Sequence, residues 1–283
     1  MTPADFQHGT AQIGEVRLHY VRAGQGTPVL LVHGWPQTWY EWHRVIPHLV
    51  ETGHEVIAVD MRGAGDSSRP AGGYDSNSVA ADLHGLVQHL GFKAIRLVGH
   101  DNGGRVCYAF AANYRDAVTS LTFLESKILG VESDDDATKE FWHFGFHQEP
   151  DLPELLLTGR EREYFSYFYK RYSYDSRSIT SSEIDEFVRC YTSLGGMRAG
   201  FAFYRAFPET AAQSRVLAQT KLTIPVLAFG GSHCMGDTPL RSMQRVAENV
   251  QGGIIPQCGH WIPDERPEWI AREISRFHHG CLS

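Results

Sequence analysis

The sequence contains no apolar run approaching the roughly 20 residues that a bilayer-spanning helix needs, so no membrane segment is expected. It has no basic excess. Lys and Arg number 26 against 33 Asp and Glu, for a net charge of −7, which leaves no cationic footprint for nucleic acid. Cysteine is scarce and unpatterned: Cys107, Cys190, Cys234, Cys258 and Cys281 are odd in number, scattered and free of C-x-x-C. That argues for reduced thiols and a cytoplasmic protein rather than a disulfide framework. The opening MTPADFQHGTAQIG lacks the basic and apolar regions of a signal peptide, so none is expected unless a leader has been removed. Internal repeats and low-complexity stretches are also missing. What is present is 283 residues, 42% apolar and 12% aromatic, enough for one large core with or without an insertion.

The most informative stretch is IRLVGHDNGGRVCYAF, residues 95–110. An apolar run (Ile95, Leu97, Val98) predicts a buried parallel strand. Gly99-His100-Asp101-Asn102-Gly103 predicts a tight turn, and Arg105–Ala112 a buried helix. Strand, sharp turn and helix with glycines two residues before and after the central position form the nucleophile elbow of α/β-hydrolases. Side chains at Gly99 and Gly103 would collide across such a turn. The central residue is Asp101 where serine is usual. A carboxylate attacks an sp³ carbon and leaves an alkyl ester, so the chemistry points to epoxide opening or carbon–halogen displacement. Without the other motifs, Asp101 would read equally well as a helix cap.

Earlier in the chain, alternation over residues 11–23 predicts two antiparallel edge strands. Pro28–Val32 predicts a buried strand running into His33-Gly34-Trp35-Pro36. There the backbone N–H groups of Trp35 and Asn102 are the candidate oxyanion hole, and His33 reads as a loop anchor. A helix is expected over Gln37–Leu49, a strand over His54–Asp60 and a helix over 76–90. The glycines of Arg62–Ser67 do not open a helix with dinucleotide-binding spacing. A strand over Val118–Leu124 ends in Glu125, on the side of a parallel sheet where ligands bind.

Residues 131–215 lose strand signals, gather acids at Asp134, Asp135 and Asp136, and become dense in aromatics from Phe141 to Tyr174. They predict a helical cap over a core made of residues 1–130 and 216–283. The sheet resumes at Ile224–Gly230, followed by a helix near Leu240–Asn249, a short strand over Gly252–Pro256 and a final helix over Pro267–His278. With 15 histidines in the chain, position rather than type selects His260. It follows the last strand, where the order nucleophile, acid, histidine places the general base. Glu125 is the preferred acid to orient it. Asp237 is the alternative, or else a cap for the helix after it.

Taken with EFWHFGFH (140–147), FAFYRAF (201–207), GGSHCMG (230–236) and QCGHWIP (257–263), the chain resembles α/β-hydrolase epoxide hydrolases, and more narrowly the Cif subgroup. The resemblance covers nearly the whole chain. It implies a mostly parallel eight-stranded sheet flanked by helices, with the cap inserted. It implies that His143 and Tyr204 hold the epoxide oxygen while Asp101 attacks, and that His260 with Glu125 drives hydrolysis of the ester. It implies a small epoxide substrate, no metal or organic cofactor, and possible homodimerisation.

Two other readings remain. A fluoroacetate-type dehalogenase shares the Asp elbow and a cap His and Tyr. It places arginine directly after the nucleophile, where this chain has Asn102, although Arg105 matches its second arginine. It also places tryptophan after the cap histidine, where this chain has Phe144. The third reading is a non-catalytic ligand receptor on the same fold.

Overall fold

The computed structural model describes residues 2–131 and 141–281. The acidic cluster Asp134–Asp136 and Glu140 lie outside them. Eight strands form one sheet: β1 (Gln7–Ile13), β2 (Val16–Gly24), β3 (Thr27–Val32), β4 (His54–Val59), β5 (Ile95–His100), β6 (Val118–Leu124), β7 (Val226–Gly231) and β8 (Val250–Ile255). Their order is β1-β2-β4-β3-β5-β6-β7-β8. β1 and β2 are antiparallel to their neighbours, and β4 through β8 run parallel. β4 and β5 are buried along their whole length, as expected of parallel strands covered on both faces.

The described helices are α1 (Ile46–Glu51), α2 (Ser76–His89), α3 (Asn102–Asn113), α4 (Trp142–Gln148), α5 (Leu152–Leu157), α6 (Glu161–Tyr172), α7 (Ser181–Thr192), α8 (Gly196–Arg205), α9 (Phe207–Leu217), α10 (Thr238–Val246), α11 (Ile262–Glu265) and α12 (Pro267–Gly280). Alternate strand residues point to opposite faces. On one face Leu30, Leu97 and Leu121 pack with Leu83 and Leu86 of α2 and Phe110 of α3. On the other, Leu31, Val98 and Leu124 pack with Leu49 of α1 and Ile270 and Ile274 of α12. Helices α4 to α9 all fall between β6 and β7. Their aromatic cluster, including Phe165, Phe168, Phe201 and Tyr204, takes in Trp35 and Trp261 from the sheet domain. No helix of the described residues is long and apolar enough to cross a membrane.

The expected helix over Gln37–Leu49 is a correction. The chain forms a short 3-10 turn at Trp39–Trp42 and then restarts as α1. Pro47 explains the break, because it has no N–H to offer the carbonyl four residues back and its ring clashes there. The helix placed near Leu240–Asn249 begins and ends earlier, at Thr238 and Val246. Pro239 suits its first turn. By Asn249 the chain has left the helix, and its carbonyl accepts from the Val226 N–H at 2.8 Å.

The crossing of β5 into α3 is sterically tight. A methyl group on Gly99 would lie 2.4 Å from the Gly103 carbonyl oxygen, and one on Gly103 would lie 2.3 Å from that of Val32. Both obstacles are backbone and cannot swing aside. Gly103→Ala is therefore expected to destabilise the fold by about 3 kcal/mol. Denaturant unfolding of the variant beside the parent checks this.

Candidate active site

The elbow places Asp101 between β5 and α3 with φ +51° and ψ −119°. A non-glycine residue held there is strained, and such strain persists only where the surrounding structure enforces it. The His33–Pro36 loop after β3 lies against it: a methyl on Gly34 would fall 2.5 Å from the Asp101 Cβ. This contact lets the Trp35 N–H donate to Asp101 Oδ1 at 3.1 Å, while the Asn102 N–H donates to the same carboxylate. Ser126 Oγ donates to the Asp101 carbonyl at 2.7 Å. His33 lies away from the reacting groups. One of its nitrogens contacts the Gly34 carbonyl at 2.9 Å, and the other accepts from the Met61 N–H at 3.1 Å.

His260, in the loop between β8 and α11, stands between two carboxylates. Its Nδ1 is 3.0 Å from Glu125 Oε2 and its Nε2 is 3.9 Å from Asp101 Oδ2. Glu125 is fully buried at the end of β6, at φ +45°, and its Oε1 accepts from the Gly231 and Met235 N–H groups. Asp237 is half-exposed and pairs with Arg241 at 3.2 Å. It occupies the N-cap position of α10, but its side chain makes no capping hydrogen bond, which corrects the expectation of a helix cap. The ion pair with Arg241 turns the carboxylate away from the helix N–H groups.

A cavity opens over the elbow and is lined by Asp101, His260, His143, Tyr204, Trp35 and Phe168 among others. His143 of α4 and Tyr204 of α8 hang into it from the cap, their rings 6.0 Å apart. Burial lowers His143 to about 3, so its imidazole is neutral, and pushes the Tyr204 hydroxyl well above its ordinary value, so it stays protonated. His143 Nδ1 has no hydrogen-bond partner among the described residues. Burial works against charge on Asp101 as well. The positive charge of Arg105, followed by those of His260 and His100 and the Asn102 N–H, outweighs it and holds the carboxyl below its usual value.

Two residues that the sequence did not single out complete the setting. His100, the last residue of β5, is fully buried. Its Nδ1 is 3.3 Å from Glu41 Oε2 and its Nε2 is 2.8 Å from the His260 carbonyl. Both partners are acceptors, so the ring serves both only as an imidazolium. Burial opposes that charge, but Glu41, Asp101 and the His260 carbonyl raise the group to about 9. Glu41 Oε2 also accepts from the Gly34 N–H at 3.2 Å. One buried ion pair therefore ties the elbow, the oxyanion loop and the His260 loop together. The only sequence signal was a histidine beside the nucleophile. Glu41 is 59 residues away from it and carried none.

A group of possible metal ligands, His19, Asp60 and Asp66, lies apart from the cavity. Both Asp60 oxygens are already engaged, by the N–H groups of Trp39 and Asp66 and by His19. The five cysteines form no disulfide.

A sheet with an elbow carboxylate, a histidine from the last loop and an inserted lid defines an α/β-hydrolase, and the family model for the alpha/beta hydrolase fold matches residues 27–267. The chain belongs to that family. Within it, the chain belongs with the epoxide hydrolases. It is 38% identical to a soluble epoxide hydrolase of Corynebacterium sp. (strain C12), over 96% of this chain and 97% of that one. The crystal structure of wild-type Cfl2 from Burkholderia cenocepacia is 39% identical with a TM-score of 0.91, covering 96% of this chain and 95% of that one. The Cif epoxide hydrolase of Acinetobacter nosocomialis is 27% identical with a TM-score of 0.87, covering 96% and 88%.

The raised His100 makes a pH prediction. An unfolded histidine titrates near 6.5, and His100 in the fold near 9. Its stabilisation is complete below pH 6.5 and is lost as pH rises towards 9. Thermal unfolding should show the parent losing stability across that window. Glu41→Gln strands a buried imidazolium, should cost about 3–5 kcal/mol at neutral pH, and should flatten the slope.

Proposed function

We propose that the protein is an epoxide hydrolase that converts an epoxide to a vicinal diol through a covalent ester on Asp101. The observation that carries this reading is His260 set between Glu125 and an elbow carboxylate whose other oxygen accepts the Trp35 N–H. His143 and Tyr204 bind the epoxide oxygen from the lid, and one of them donates a proton as the ring opens. Asp101 Oδ2 attacks a ring carbon from the opposite side, the C–O bond breaks, and a hydroxyalkyl ester forms.

His260, oriented by Glu125, then takes a proton from water through Nε2, and the hydroxide adds to the Asp101 carboxyl carbon. The Oδ1 oxygen already accepts the Trp35 N–H and the Asn102 N–H adjoins the same carboxylate, so the oxyanion forms with little reorganisation. Collapse expels the diol oxygen, which takes the proton from His260; the proton left on the Asp101 carboxyl passes to the lid residue that gave its own to the epoxide, and one water-derived oxygen stays on Asp101. None of these steps calls on a metal or an organic cofactor. The apolar and aromatic lining keeps bulk water from the ester and strengthens each of these contacts.

The dehalogenase alternative has less support. The Asn102 side-chain oxygen accepts from Arg105, whose Nε also donates to the Lys127 carbonyl at 3.2 Å. Asn102 offers no cation to clamp a haloacid carboxylate.

A panel of epoxides should yield diols with the parent and none with Asp101→Ser. Turnover in oxygen-18 water should label Asp101. Halide release from haloacetates without diol from any epoxide would overturn the reading, and stoichiometric binding without turnover or adduct would favour the receptor. Glu125→Gln leaves the His260 Nδ1–H without its carboxylate, and kcat should fall by about 10⁴-fold.

A further inference from the structure

Cys234 lies in the loop after β7 and lines the same cavity as Asp101 and His260. Its Sγ is 3.9 Å from His260 Nδ1, on the side where Glu125 Oε2 approaches to 3.0 Å. The three atoms fall within 4.8 Å of one another. We propose that Glu125 Oε2, Cys234 Sγ and His260 Nδ1 form a capture site for a thiophilic divalent cation of the zinc or cadmium class, and that occupancy stops turnover.

The donor set fits that class. Zinc bonds of about 2.0–2.3 Å to N, O and S in a tetrahedron separate the donors by roughly 3.3–3.6 Å. Two of the three separations, 3.0 and 3.9 Å, bracket that range, and the third, from Sγ to the carboxylate, lies within 4.8 Å. Hard cations such as magnesium require more oxygen ligands than the one carboxylate here supplies.

Each ligand is also held from behind. Glu125 Oε1 accepts the Gly231 and Met235 N–H groups. The Cys234 N–H donates to the Gly231 carbonyl at 3.1 Å, and the His260 N–H to the Tyr172 carbonyl at 2.7 Å. Cys234 and His260 both face the cavity, which gives the ion an entry path and leaves a fourth position for water.

Binding balances as follows. The thiol releases one proton to solvent. The imidazole keeps its single hydrogen but moves it from Nδ1 to Nε2, because the metal takes the Nδ1 lone pair. Thiolate and carboxylate neutralise the two positive charges, so no net charge is left in a buried site. With a hydrogen on Nε2 and metal on Nδ1, His260 has no lone pair with which to take a proton from water. The capture of a cation stands on geometry alone, whereas the loss of turnover rests on the epoxide hydrolase reading above.

The test separates the two. Diol formation is titrated with zinc chloride and with cadmium chloride, with magnesium chloride as control. Micromolar zinc or cadmium should abolish turnover, EDTA should restore it, and magnesium should have no effect. Cys234→Ser, measured against its own uninhibited rate, should raise the half-inhibitory concentration at least about tenfold.

Independently of turnover, cadmium should produce an ultraviolet thiolate-to-metal charge-transfer band with the parent that is missing from Cys234→Ser. In the parent, zinc should protect Cys234 from iodoacetamide, read by peptide mass spectrometry, which keeps the test valid if the variant does not fold. Equal inhibition of parent and variant, a missing band, or alkylation of Cys234 that zinc does not slow would overturn the site. An absence of diol with any epoxide would count against the catalytic reading, and the band and the protection would still decide the metal site.

Discussion

The structure depends on one steric constraint: the backbone must turn from β5 into α3 within a space that admits no side chain at Gly99 or Gly103. This turn holds Asp101 at a positive φ and brings its carboxylate up to the N–H groups of the preceding loop and of the helix start. The strain is local, and its cost is offset by large apolar clusters on both faces of the sheet. A loop N–H then meets one carboxylate oxygen, and the other lies 3.9 Å from His260 Nε2.

Around that turn the charges are arranged by burial. His260 lies between the carboxylates of Glu125 and Asp101, while His100 and Glu41 form a second pair behind them. The front pair borders the cavity, and the rear pair is sealed away from solvent. In a medium of low dielectric an imidazolium beside a carboxylate is strongly held. The rear pair therefore acts as a rigid peg for three loops from distant parts of the chain. His143 and Tyr204 are treated the opposite way. The cap buries them without charged partners of their own, so the histidine is neutral and the tyrosine keeps its proton.

The cap and the sheet domain share a single aromatic cluster, because Trp35 and Trp261 are packed into the cap from below. Each tryptophan adjoins a functional group: Trp35 supplies the N–H to Asp101, and Trp261 follows His260. The lid is thus seated by residues next to those it covers. Its position and that of the groups beneath it are set by the same contacts.

Much of this was legible in the chain. Apolar runs marked the central parallel strands, the last strand was placed at Gly252–Pro256 but starts at Val250, and glycine spacing marked the elbow. The position of Glu125 at the end of a strand and of His260 after the last one marked the two loops whose side chains the fold brings to 3.0 Å. These are local signals, because they depend on strand burial and turn sterics within a few residues. Pro47 was visible too, yet its effect on the helix before it was underestimated. His143 and Tyr204 could be placed only by resemblance, since one His and one Tyr among so many aromatics carry no local mark. The Glu41–His100 pair and the approach of Cys234 to His260 were settled by the tertiary structure alone. Each depends on which chain segments the sheet brings together, and on how far burial strengthens the charges that meet there. Neither quantity is a property of neighbours in sequence.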